Sequence, residues 1–248
     1  MRLGAGVAAV KDPGSAEVVR AQAFMGWFLR HLVVGIYPGS PYARKLFCME
    51  ALSAVIAAWS GEAKRAKLTP PSPATLALVR DALFAPGTVQ ALLAAAVDTW
   101  DNVRARAQAV LMQLPTPLPG FDSAAELRGV LAGAARLLRS PRVRETTPGA
   151  ALLRLLFRKY VLQARWTLVL HPRVALAAPA GPADAAGRWP AILDFLENLL
   201  DLLDANLAAA EADLLDACRG GLAHGTLLAV REVAEELPWA EGAALGHR

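Results

Sequence analysis

Two cysteines, Cys48 and Cys218, are too few in 248 residues for a disulfide framework or a cysteine-rich zinc domain. Charged residues make up only 19% against 55% hydrophobic, the reverse of the composition that keeps a chain disordered. Glycine and proline follow no triplet period, which excludes a collagenous chain. β-Branched residues are sparse, which argues against a sheet protein. Uninterrupted apolar runs are also missing. The longest uncharged stretches, Ala82–Val97 and Ala107–Phe121, are broken by Pro86-Gly87 and by Pro115, Pro117 and Pro119-Gly120, so neither is a continuous membrane span. Leu3–Val10, after Met1-Arg2, is too short and weak for a signal peptide. These absences describe a soluble, cytoplasmic chain with reduced cysteines.

What is abundant is alanine, about a fifth of the chain, and leucine, about a sixth, both strong helix formers. The hydrophobic period agrees. Leu52, Val55, Ile56 and Trp59 share one helix face, and Leu153, Leu156, Phe157 and Tyr160 repeat the spacing. Ser40-Pro41, Ser72-Pro73 and Thr147-Pro148 each offer a hydroxyl cap before a first-turn proline, and Ser123 with Glu126 fits a capping box. The predicted helices span 15–36, 42–59, 73–84, 87–99, 101–114, 123–139, 149–170, 190–219 and 222–237, with a break in the eighth near 205–211. No segment alternates cleanly beside a hairpin turn, so no strand is predicted. The expected fold is all-α, an α-solenoid of HEAT or armadillo type, each helical hairpin burying its apolar face on the next. It runs over 15–237, with linkers near 61–73 and 174–189, a flexible N-terminus at 1–14 and a flexible tail at 238–248. The tail supplies no polar capping repeat, so the chain is expected to be part of a longer protein.

Charge is segregated. Residues 136–173 hold nine basic residues and one acid, a net of +8, whereas 181–248 hold four basic residues and twelve acids, a net of −8. The whole-chain net of +4 conceals this. Asp194, Glu197, Asp201 and Asp204 form one acidic stripe, a solvated face whose like charges the basic segment is expected to offset. Arg154, Arg158 and Arg165 fall on nearly one helix side, with Lys159 and the Arg136/Arg139/Arg142/Arg144 cluster close in sequence, a comb suited to phosphates. Aromatics, 6% of the chain, are not interleaved with it, so a nucleic acid would be read by backbone shape.

No catalytic pattern stands beside this surface. Gly4-x-Gly6-x-x-Ala9 has no preceding strand and no room for one, so it is not a dinucleotide site. His31, His171, His224 and His247 are scattered, and no G-x-S-x-G elbow occurs, so no metal, cofactor or nucleophile is expected. Cys48 reads as a buried structural thiol.

Four segments carry a family resemblance. Tyr37-Pro-Gly-Ser-Pro-Tyr-Ala-Arg-Lys45 resembles a Pro-Gly-x-x-x-x-Arg-Lys helix entry. Asp98-Thr-Trp-Asp-Asn-Val-Arg104 is similar to an aspartate followed by a helix beginning Asn-Val-Arg. Gly149–Val161 resembles a basic helix, and Ala223-His-Gly225 through Arg231 a "small residue, His-Gly, apolar, Arg" helix. In this order, over about 20–237, they resemble the THADA family (thyroid adenoma-associated protein and its fungal and plant relatives). That resemblance implies a large non-catalytic helical-repeat protein. Its partners would be tRNA and an FtsJ-type methyltransferase acting on the ribose 2′-OH of tRNA nucleotide 32. The family's Arg-Arg-Ser-Ala-Gly-Leu-Pro-like motif has no counterpart in this chain. On this view Arg154, Arg158, Lys159 and Arg165, with Arg44, Lys45, Arg104 and Arg106 as a weaker set, contact tRNA phosphates or the enzyme. The alternative is a general HEAT-like protein-interaction scaffold with no RNA contact.

Overall fold

The computed structural model describes residues 16–59, 77, 80, 81, 83, 85–170, 175–178, 189–212 and 216–237. The expectations for the N-terminus, the C-terminal tail, Ser72-Pro73, the first linker and most of the second lie outside them, as does most of the 73–84 helix. The described chain is mostly helical and forms two compact units, 1–120 and 121–248. Among the described residues, no helix is long and apolar enough to cross a membrane.

The first unit contains α1 (Ala16–Ile36), α2 (Tyr42–Trp59), α3 (Pro86–Ala95) and α4 (Asp101–Gln113). Helix α2 packs on both α1 and α4, and α3 packs on α4 and α1. Leu29, Leu32, Ile36, Met49 and Leu52 are buried on the packed helices α1 and α2, as are Val89, Leu92, Val103, Val110 and Leu111 on α3 and α4. Helix α2 has the predicted bounds, but Pro41 precedes its first turn, its carbonyl accepting from the Lys45 N–H. The Ser40 hydroxyl donates to the Val34 carbonyl instead of capping α2.

The second unit contains α5 (Ala124–Leu138), α6 (Val143–Leu156), a π-helical continuation (Phe157–Gln163), β1 (Thr167–Leu170), β2 (Ala175–Ala178), α7 (Trp189–Ala212) and α8 (Ala217–Ala234). Helix α6 packs between α5 and α8, and α7 covers α8. The Ser123–Glu126 capping box is present, with each side chain bonded to the other residue's backbone N–H. Helix α6 begins six residues before its predicted start. Ser140 accepts from the Arg142 N–H and donates to the Glu145 carboxylate, anchoring the entry, so Pro148 is an interior residue rather than a first-turn one. The predicted face is buried: Leu153, Leu156, Phe157 and Tyr160 are all fully covered.

The helix predicted to reach residue 170 stops at Gln163. Arg165 takes a left-handed conformation (φ 61°), and the Arg165 and Trp166 N–H groups donate back to the Val161 and Tyr160 carbonyls. This closure resembles the paired bonds that usually end a helix at glycine. The chain then forms an antiparallel two-stranded hairpin, Thr167 opposite Ala178 and Leu170 opposite Ala175. Leu168 and Leu170 point inward while Thr167 and Val169 are half-buried, so the alternation exists in burial but is faint in residue type.

Candidate functional site

In the first unit, the Pro-Gly segment and the Asp98–Arg104 segment meet. The Lys45 ammonium, almost fully buried, donates to Asp98 Oδ2 at 2.6 Å. Asp98 Oδ1 accepts from the Trp100 N–H at 3.1 Å. Arg104 is also buried, and its guanidinium donates to the Asp98 and Thr99 carbonyls at 2.8 and 3.2 Å and to the Asp101 carboxylate. Burial acts to raise the Asp98 pKa, but the Lys45 hydrogen bond and charge and the Trp100 N–H outweigh it and hold the carboxyl below its ordinary value. Arg106, on the exposed side of α4, pairs with Glu50 at 2.9 Å. Arg44 is exposed and lies close enough to Cys48 to oppose the upward push that burial gives the thiol.

In the second unit, the predicted comb divides. Arg154 on α6 reaches Glu236 at 2.5 Å, Glu232 at 2.9 Å and Glu235 at 3.4 Å on and just beyond α8, and Arg158 reaches Glu236 at 3.1 Å. Burial pushes the Lys159 ammonium down to about 8, and the Arg158 charge adds to the effect. Lys159 is 1% exposed. Arg165 has left the helix and is exposed beyond its end. The acidic stripe of α7 is solvent-exposed, as expected, although Leu193, Leu200 and Leu207 beside it are exposed too. The carboxylates that neutralise Arg154 and Arg158 belong to the end of α8, not to that stripe.

Basic side chains also stand at the surface of this unit. Arg136, Arg139, Arg142 and Arg144 are all exposed around the α5–α6 turn, where Glu145 pairs with Arg142 at 3.3 Å. A second exposed feature escaped the sequence pattern. Tyr42, at the start of α2, and Trp100, the residue before α4, contact each other with ring centroids 5.2 Å apart and planes inclined by 53°. They border an open cleft of about 400 Å3, lined also by Pro38, Ser40, Lys45 and Thr99. The only sequence signal was a tryptophan at a helix entry. Its pairing with Tyr42 requires the packing of α2 on α4.

Among the described residues, no group of three or more histidine, cysteine, aspartate or glutamate side chains could hold a metal ion. No protein-family model matches the chain, and no curated protein or solved structure is significantly similar to it.

Proposed function

We propose that this chain is a non-catalytic α-solenoid scaffold of the THADA type. It works in the cytoplasm with an FtsJ-type methyltransferase and helps present tRNA for 2′-O-ribose methylation at nucleotide 32. The observation that carries this reading is the pairing of the segments that bear the resemblance. Lys45 of the first bonds Asp98 of the second, and Arg154 of the third bonds Glu232, the neighbour of Arg231 in the fourth. The first pair is largely buried and lies within two of the resembling segments, and the second, half-buried, joins the third segment to the residue just past the fourth. On this reading Lys45, Arg104, Arg154, Arg158 and Lys159 build the scaffold, and the phosphate contacts fall to Arg136, Arg142 and Arg144, with Arg165 and Arg44 as exposed additions.

A general interaction scaffold without RNA is the second reading, favoured by the internal engagement of Arg154 and Arg158. Affinity capture with the intact chain separates the two. Co-recovery of tRNA and an FtsJ-type enzyme, with tRNA affinity falling steeply with salt and the slope reduced in Arg142→Ala/Arg144→Ala, supports the first. Absence of tRNA binding, with capture of proteins without tRNA, favours the second.

A further inference from the structure

Helix α7 keeps a row of leucines at the surface. Leu193, Leu200 and Leu207 are 58%, 52% and 38% exposed. A single exposed leucine needs no explanation, but these recur every seven residues. Seven residues bring an α-helix to within about 20° of two full turns, so the three side chains stand in one row about 21 Å long. Leu196 and Leu203, half-buried, run beside the row at the intervening three- and four-residue steps. This is the spacing of a coiled-coil seam. Among the described residues, no helix covers its outer row.

Carboxylates repeat with the same period. Glu197, Asp204 and Glu211 follow the three leucines by four positions, and Asp194 and Asp201 follow the first two by one. All five are exposed, and none has an ion-pair partner among the described residues. Helix α7 contains no lysine, arginine or histidine. This rim decides among occupants. A second copy seated through the same face would set carboxylates against carboxylates, and RNA or an anionic membrane would meet the same repulsion. The chain's own basic helix, α6, holds its leucines in the core and cannot offer them. We infer that the outer face of α7 is a docking site for a basic amphipathic helix of a partner protein. That helix carries apolar residues at three- and four-residue steps, with lysine or arginine beside them. Burial of the leucine row supplies the affinity, and the carboxylates select the charge of the partner. The site is separate from the arginines assigned to phosphate and does not rest on the RNA reading.

The test uses the intact chain and fluorescein-labelled three-heptad peptides, with affinity read by anisotropy at physiological salt. Each peptide has leucine at the first and fourth heptad positions and lysine, glutamine or glutamate at the flanking ones. A scrambled lysine peptide keeps the composition and loses the spacing. The lysine peptide is expected to bind about tenfold more tightly than the glutamate and scrambled peptides, with the glutamine peptide between. Leu193→Ala/Leu200→Ala/Leu207→Ala, which changes only exposed side chains and keeps good helix formers, should weaken the lysine peptide about tenfold with helical content unchanged. Glu197→Lys/Asp204→Lys should turn the preference toward the glutamate peptide. No binding of the lysine peptide, equal affinity for the lysine, glutamate and scrambled peptides, or full affinity in the triple leucine variant overturns the site. Sedimentation showing a dimer that the triple leucine variant loses also overturns it and assigns the face to a second copy.

Discussion

The Lys45 ammonium and the Asp98 carboxylate, 53 positions apart, meet at 2.6 Å where α2 packs against the entry to α4. Neither group has much access to solvent, and each satisfies the other's buried charge. Removing one partner strands the second, so Lys45→Ala is expected to lower stability by about 3 kcal/mol, and Lys45→Met/Asp98→Leu by less than either single change. Denaturant melts of the three variants check this.

The same pair fixes an acid response. Asp98 has a folded pKa below its unfolded value of about 4, so its contribution is complete above that value and fades as pH falls through the folded pKa. The thermal midpoint of the intact chain should therefore fall more steeply below about pH 4 than that of Asp98→Asn, which is less stable at neutral pH. Midpoints measured across this range compare the two slopes.

Lys159 predicts the opposite limb. Its folded pKa, about 8, lies below the unfolded lysine value of about 10.4. Between these values the unfolded chain binds more protons, so stability contributed at this site rises with pH over that interval. Lys159→Met should remove this rise, as measured by denaturation across the interval.

Much of this architecture was legible in the residues, for identifiable reasons. The bounds of α2 and the Ser123–Glu126 capping box are local features, set by side chains within a turn of one another. The entry to α6 was not legible, because Ser140 and Glu145 are five positions apart and do not match the capping-box spacing, while Pro148 offered a false start. The hairpin was obscured because Leu168, Val169 and Leu170 are apolar on both faces. The basic comb failed as a geometric unit because Arg165 lies past the helix end, and its charge was absorbed by Glu232 and Glu236, whose approach depends on α6 packing against α8. The Tyr42–Trp100 cleft is tertiary in the same sense.

Two glycines should respond in opposite directions to alanine. A Cβ at Gly225 on α8 would strike the Leu138 carbonyl, so Gly225→Ala should cost about 1–3 kcal/mol by forcing α8 away from the end of α5. Gly129, inside α5, has open space around its would-be Cβ, and Gly129→Ala should gain about 0.5–1 kcal/mol. Melting curves of the two variants decide whether the close approach of α8 to α5 is as described.

The scaffold account is tested most directly by mapping 2′-O-methylation at nucleotide 32 of tRNA in cells of the source organism lacking the gene, with and without the gene restored. The account predicts loss of that methyl group, its return on restoration, and unchanged methylation at sites served by other enzymes. Full methylation at nucleotide 32 in the absence of the gene would contradict it.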